Sequence, residues 1–213
     1  MVKESTEEKY RLYLNRKDSH WEFGNNILYQ MCKENPLHTQ VDVVVGKIWL
    51  IGRSYAAAIE RRKNAAESGD DFYYNKVAPK IIEIGAELDE RLEKLRRSKR
   101  SIIDDVADIL SLHNFLTNIF YELTGLEMRS LASKYLHFHC PEKFFIYDSR
   151  AYTALRKLVK LPQKEIYLEN NDSDREYENF VCRILELQTF IYDKFNVYTM
   201  PRELDDFLLS VNT

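Results

Sequence analysis

The chain has 213 residues but only 6 glycines and 5 prolines, against a glycine share of about 7% in ordinary proteins. So few turn formers exclude sandwiches and barrels of many short strands, and no G-x-G-x-x-G or G-x-x-x-x-G-K-[ST] phosphate loop occurs. With 45% hydrophobic and 31% charged residues it is a folded chain, and its net charge of −3 leaves a nucleic-acid role to local patches only.

Three cysteines, Cys32, Cys140 and Cys182, are odd in number and far apart, which points to a reducing compartment rather than a disulfide scaffold. The charged stretch Met1 to Lys9 lacks the apolar core of a secretory leader, and no apolar run approaches the ~18 residues of a membrane span. The expected location is cytoplasmic, with no membrane partner.

In chain order, a short polar helix is predicted near Thr6 to Asn15. Trp21 to Lys33 follows, with Trp21, Ile27, Leu28 and Met31 facing inward, and Asn35-Pro36 ends it. Thr39 is read as the N-cap of a helix to about Asn64 with Val41, Val45, Ile48, Gly52, Tyr55 and Ile59 on one face. Gly46 and Gly52 inside that helix predict a close crossing with a neighbour, which makes it central. Phe72 to Arg97 reads as one or two helices with Pro79 near a start or kink. Its end, Arg91 to Arg100, holds six bases and one acid and complements a helix C-terminus. Ser101 and Asp104 open a helix to about Leu123, with His113 at the core edge and Gly125 as a left-handed cap. Helices are then predicted over Leu126 to His139, from Asp148 or Ser149 to Leu161, over Tyr177 to Phe195, and from Pro201 to Leu209. Glu165 to Glu178, with six acids and one base, reads as a solvated loop. The class is all-α: a compact multi-helix globular domain over residues 1–213, in one or two lobes.

His137-x-His139-Cys140 places three potential metal ligands within four residues, but side chains two apart on a helix diverge. Two histidines at a helix end are the simpler account. No metal and no cofactor are expected. Acid pairs such as Asp104-Asp105 and Asp205-Asp206 read as solvated faces.

The informative stretch runs from Leu123 to Leu161: helix, glycine turn, helix, breaker, then Asp148 at the mouth of a new helix. Asp148 follows the apolar run Phe144-Phe145-Ile146-Tyr147. Beside that run its carboxyl would be desolvated and its pKa raised; as a helix N-cap it would be held ionised by backbone N–H groups. Both remain open from sequence. Lys143 to Lys164 holds six bases and one acid, with Phe144, Phe145, Tyr147 and Tyr152 interleaved, a composition suited to phosphates and bases.

Leu123-Thr124-Gly125-Leu126 matches the start of the hairpin pattern L-x-G-[VI]-G-x-K-x-A. Asp148 stands 23 residues after Gly125, inside Ile146-Tyr147-Asp148-Ser149-Arg150-Ala151, and Lys157-Leu158 matches a later basic–Leu pair. Over about 40 residues this resembles the helix-hairpin-helix (HhH-GPD) DNA glycosylase superfamily, in its 8-oxoguanine glycosylase-like form, with a core at roughly 101–161. The resemblance implies a DNA or nucleotide partner, recognition of a base, and N-glycosidic bond cleavage supported by Asp148. It implies a backbone phosphate contact at Gly125, to which Arg129 and the basic patch residues Lys143, Arg150, Arg156 and Lys157 are added as expected nucleic-acid contacts. Glu127 replaces the second hairpin glycine. Arg129 replaces the Schiff-base lysine and cannot serve as an amine nucleophile, which implies a monofunctional enzyme. Lys134, five residues on, is the one displaced amine. A flipped base would meet Trp49, Tyr55 or Phe144. The alternative is a non-enzymatic helical interaction or regulatory protein in which Asp148 only caps a helix.

Overall fold

Long stretches of helix formers broken by isolated glycines, prolines and short polar runs give a chain of helices joined by brief connections. The computed structural model describes residues 2–16, 21–61, 69–161 and 173–211, and among these the fold is all-α. In order the helices are α1 (Ser5–Leu14), α2 (Glu22–Glu34), α3 (Val41–Ser54), α4 (Gly69–Phe72), α5 (Ala78–Glu83), α6 (Gly85–Arg97), α7 (Val106–Thr124), α8 (Arg129–His139), α9 (Ser149–Leu158), α10 (Arg175–Phe195) and α11 (Pro201–Ser210). A π-helical segment, Tyr73–Val77, joins α4 to α5, and Pro79 occupies the first turn of α5 as a starter. Among the described residues β pairing is confined to an isolated bridge, Val2 with Val159, and no helix is long and apolar enough to cross a membrane. Lys164 and most of the acidic stretch Glu165 to Glu178 lie outside the described residues.

The chain divides into two compact units, Met1–Ser19 with Phe145–Thr213, and His20–Phe144. The division falls inside the 101–161 stretch.

In the unit His20–Phe144, α3 is the central helix, packed on α2, the π segment, α5 and α8. Val44, Ile48 and Ile51 of α3 are fully buried, each contributing about 1.5–3 kcal/mol by leaving water. The helix ends at Ser54, ten residues before the expected stop. Ala56 turns the chain with a positive φ of 51°, and the Ala57 N–H returns to the Gly52 carbonyl at 2.7 Å. Gly52 is close-packed as predicted, but against Ala57 and Ala58 of its own following turn, and Gly46 has nothing near it. The tight glycine is Gly85, where a Cβ would stand 2.7 Å from the His38 carbonyl oxygen. Gly85→Ala is therefore expected to destabilise by about 1–3 kcal/mol, read as a lower urea midpoint at unchanged m-value. An unchanged midpoint would show that the 35–40 connection yields freely.

Two helix faces are rotated from expectation. On α2 the buried residues are Leu28 and Cys32, whereas Trp21 is 77% and Phe23 80% exposed and Ile27 is also exposed. On α3 the buried face includes Lys47, while Val41 is exposed. The basic end of α6 is neutralised: Arg91 pairs with Glu87, Lys94 with Asp108, and Arg96 and Arg97 with Glu93.

In the unit formed by Met1–Ser19 and Phe145–Thr213, α9 packs on α10 and α11, and α1 on α11. Tyr10 meets Phe195 and Phe207 edge-on at 4.9 and 5.1 Å, and Tyr147, Tyr152, Tyr177 and Phe180 form a second aromatic cluster.

Candidate functional site

Gly125 forms the left-handed cap predicted for it, while α8 begins at Arg129 rather than at Leu126. Gly125 closes α7 with φ 66° and ψ 15°, its N–H on the Tyr121 carbonyl at 2.7 Å. Thr124 secures the turn: its hydroxyl donates to the Phe120 carbonyl at 2.7 Å and accepts the Leu126 N–H at 3.1 Å. Gly125 is exposed and a Cβ there would meet open space, so only backbone conformation demands glycine. Gly125→Ala is expected to cost about 1–2 kcal/mol, with Gly125→Asn recovering part of it, by urea denaturation. Equal stability of all three would contradict the left-handed turn. Beyond the turn, Arg129 pairs with Glu127 at 2.5 Å, so that carboxylate is charge-balanced.

Two candidates in this unit are turned inward. Lys134 is 1% exposed; its ammonium donates to Ser130 Oγ at 2.8 Å and to the Tyr55 carbonyl at 3.3 Å, and lies over the Tyr55 ring. Helical periodicity puts it on the α3-facing side of α8, so it is held as a packing cation rather than presented as an amine. Lys143 is 5% exposed, its ammonium bound to Asp105 Oδ2 at 2.7 Å and the Arg100 carbonyl at 2.6 Å. It leaves the basic patch and anchors the end of the unit. The Lys143 ammonium helps to hold the Asp105 carboxyl below the usual range, against the opposing effect of burial. Of the expected base-contacting residues, Phe144 is fully buried, Tyr55 is half-buried, and Trp49 is exposed beneath the Arg53 guanidinium.

Asp148 belongs to the other unit. It is the extended N-cap of α9, half-buried, and accepts the Arg150 N–H at 2.9 Å. The preceding residues through Tyr147 are buried, so the chain surfaces at this carboxylate. Apolar residues Ala151, Ala154, Leu155 and Leu158 fill the inner face of α9, leaving Arg150, Arg156 and Lys157 on its outer face, with exposed Lys160 just beyond its end. Tyr152 is flanked by the guanidinium groups of Arg156 at 4.9 Å and Arg183 at 5.8 Å. Arg183, from α10, adds a cation to this face that the linear pattern did not reveal.

A second polar constellation went unforeseen. His38, between α2 and α3, is gripped by Asp89 of α6: its backbone N–H meets Oδ2 at 3.1 Å and its ring Nδ1 meets Oδ1 at 2.5 Å. Its Nε2 meets the Tyr135 hydroxyl at 2.7 Å. Burial pushes His38 below the usual histidine range, partly offset by Asp89, and raises Tyr135 well above its usual value. The neutral ring therefore donates from Nδ1 to Asp89 and accepts the tyrosine proton at Nε2. Fully buried Lys47 donates to the Leu37 carbonyl at 3.2 Å, and burial lowers its pKa to about 8. His137 and His139 point apart. His137 donates from Nδ1 to the Phe144 carbonyl at 2.8 Å and meets the Tyr29 hydroxyl at 2.6 Å, whereas His139 stacks on His38. No local sequence signal announces this constellation, because the partners of His38 lie 51 and 97 positions away.

Comparison with curated proteins finds no match, and comparison with solved structures finds none. A family model described as HI_0787_N, N-terminal domain, matches residues 6–143. That span holds the Gly125 hairpin and the His38 constellation and ends at Lys143, before Asp148. Since it covers well over half of the chain, the protein belongs to the HI_0787_N family.

Proposed function

We propose that the protein recognises a base or nucleotide in DNA and cleaves its N-glycosidic bond with Asp148. The observation that carries this reading is the carboxylate of Asp148, half-exposed at the mouth of α9 and bordered by the basic outer face of that helix. Arg150, Arg156 and Lys157 supply phosphate contacts that are independent of sequence. Within its own unit, the exposed left-handed turn at Gly125, with Glu127 balanced by Arg129, is suited to a backbone contact to phosphate.

In the reaction the C1′–N bond breaks and its electron pair leaves with the base, which takes up a proton. Asp148 stabilises the sugar cation and accepts a proton from the attacking water, whose oxygen bonds to C1′. The inward placement of Lys134 and the presence of Arg129 rather than lysine favour water over an amine as nucleophile, so the product is an intact abasic site. The test is incubation with duplexes carrying oxidised, alkylated and deaminated bases, followed by hot alkali. Strand breaks that appear only after alkali support the reading; no breaks across the panel overturn it.

A second reading is favoured by one observation. The family-defining span ends before Asp148, and within it Trp21 and Phe23 stand almost fully exposed. This suits a non-enzymatic helical interaction module. Undetectable DNA binding at low salt would favour it over the first.

A further inference from the structure

His139 is the one member of the buried constellation without a hydrogen-bond partner. It is 6% exposed, and among the described residues neither Nδ1 nor Nε2 meets a donor or acceptor. Its ring lies 4.9 Å from His38 at 35° and 4.9 Å from Tyr135. Among the described residues, the groups around it offer no counter-charge. From α3 comes the Lys47 ammonium and from α6 the Arg96 guanidinium, both repelling an imidazolium. Asp89 of α6 is committed to both nitrogens of His38 that it can reach. From α2, burial raises the Cys32 thiol to about 12, and beyond α8 it raises Cys140 to about 11, so both are neutral. Tyr135 keeps its proton. On the α7 side the titratable neighbour of α8 is His113, which donates to the Arg129 carbonyl at the opposite end.

We infer that His139 is an acid-sensitive latch: a proton on its ring can be held only when α8 leaves the surround of His38, Lys47 and Arg96, so acidification releases α8. Burial, seconded by Lys47, holds the ring neutral in the closed state, while the open state titrates near ~6.5. The open state therefore binds more protons. The closed state keeps its full advantage above ~6.5 and loses it as pH falls towards the depressed value of the closed form. The helix released carries Arg129 and Lys134 and forms one arm of the Gly125 hairpin, so acid loosens the hairpin as well.

The experiment is native-state hydrogen exchange of the whole protein from pH 8 to 5, expressed as protection factors for the α8 amides. Wild-type protection is expected to fall steeply below ~6.5, because His139 and His38 are both held below their usual range by burial and each takes up a proton on opening. His139→Phe keeps an aromatic ring and removes one titration, and should make the fall shallower by about one proton. The same steep fall in the variant overturns the inference. Should that variant not fold, imidazole NMR of the wild type decides. A His139 ring that stays neutral while α8 remains protected supports the latch, and a ring that becomes charged with protection intact overturns it.

Discussion

Asp148→Asn is expected to slow base release by about 10²–10⁴-fold, the usual range for removing a positioned general base. The same substitution should leave stability within a few tenths of a kcal/mol, because asparagine caps a helix as well as aspartate does. Asp148→Ala loses both the carboxylate and the bond from the Arg150 N–H, so it should lose the activity and about 1 kcal/mol together. Single-turnover rates and urea unfolding of the two variants separate the roles. A capping residue gives an active Asn variant and a destabilised Ala variant. A catalytic residue gives two inactive variants, of which only one is destabilised.

Lys143→Met is expected to destabilise the protein by about 3 kcal/mol. It leaves Asp105 buried with Ser98 and the exposed Arg100 guanidinium, 3.5 Å away, in place of the ammonium. Replacing both partners, Lys143→Met with Asp105→Leu, should return much of that stability, since an apolar pair avoids stranding a charge. DNA affinity of the folded fraction should be unchanged in Lys143→Met. By contrast Arg156→Glu with Lys157→Glu, on the open face of α9, should weaken binding and flatten its dependence on salt. Unfolding free energies and anisotropy titrations against salt measure both effects. A stable Lys143→Met that binds DNA poorly would return Lys143 to the contact surface.

The all-α class and the order hairpin, breaker, capped helix were legible because they rest on local rules. Gly125 needs its left-handed turn, and Asp148 precedes a helix whose Ala151, Ala154, Leu155 and Leu158 mark one apolar face. What was not legible depends on partners far along the chain. Lys143 sits in a run of basic residues, and nothing near it announces that Asp105, 38 positions earlier, will draw it inside. Lys47 and Lys134 occupy inward helix positions, but a charged residue there reads as solvated until the carbonyls of Leu37 and Tyr55 are known. Trp21 and Ile27 show the reverse failure: apolar character suggested burial, yet both are exposed among the described residues. Gly46 and Gly85 show the same for glycine. Periodicity drew attention to the one with open space beside it, while the crowded one opens α6 against His38.

The unexpected His38 constellation bears on how the unit His20–Phe144 is held together. His38, Asp89 and Tyr135 tie three separate parts of the chain through bonds of 2.5–3.1 Å. Such networks specify a unique packing when every member is satisfied. His139 is the exception, and that exception gives the unit its expected acid sensitivity.

The most direct test of the proposed activity needs no prior choice of substrate. Damaged genomic DNA is incubated with the wild-type protein and with Asp148→Asn at low salt, and released bases are identified and counted by mass spectrometry. The account predicts at least one modified base released by the wild type, matched by an equal number of abasic sites and reduced about 10²-fold or more in the variant. No released base, or equal release by both proteins, would contradict it.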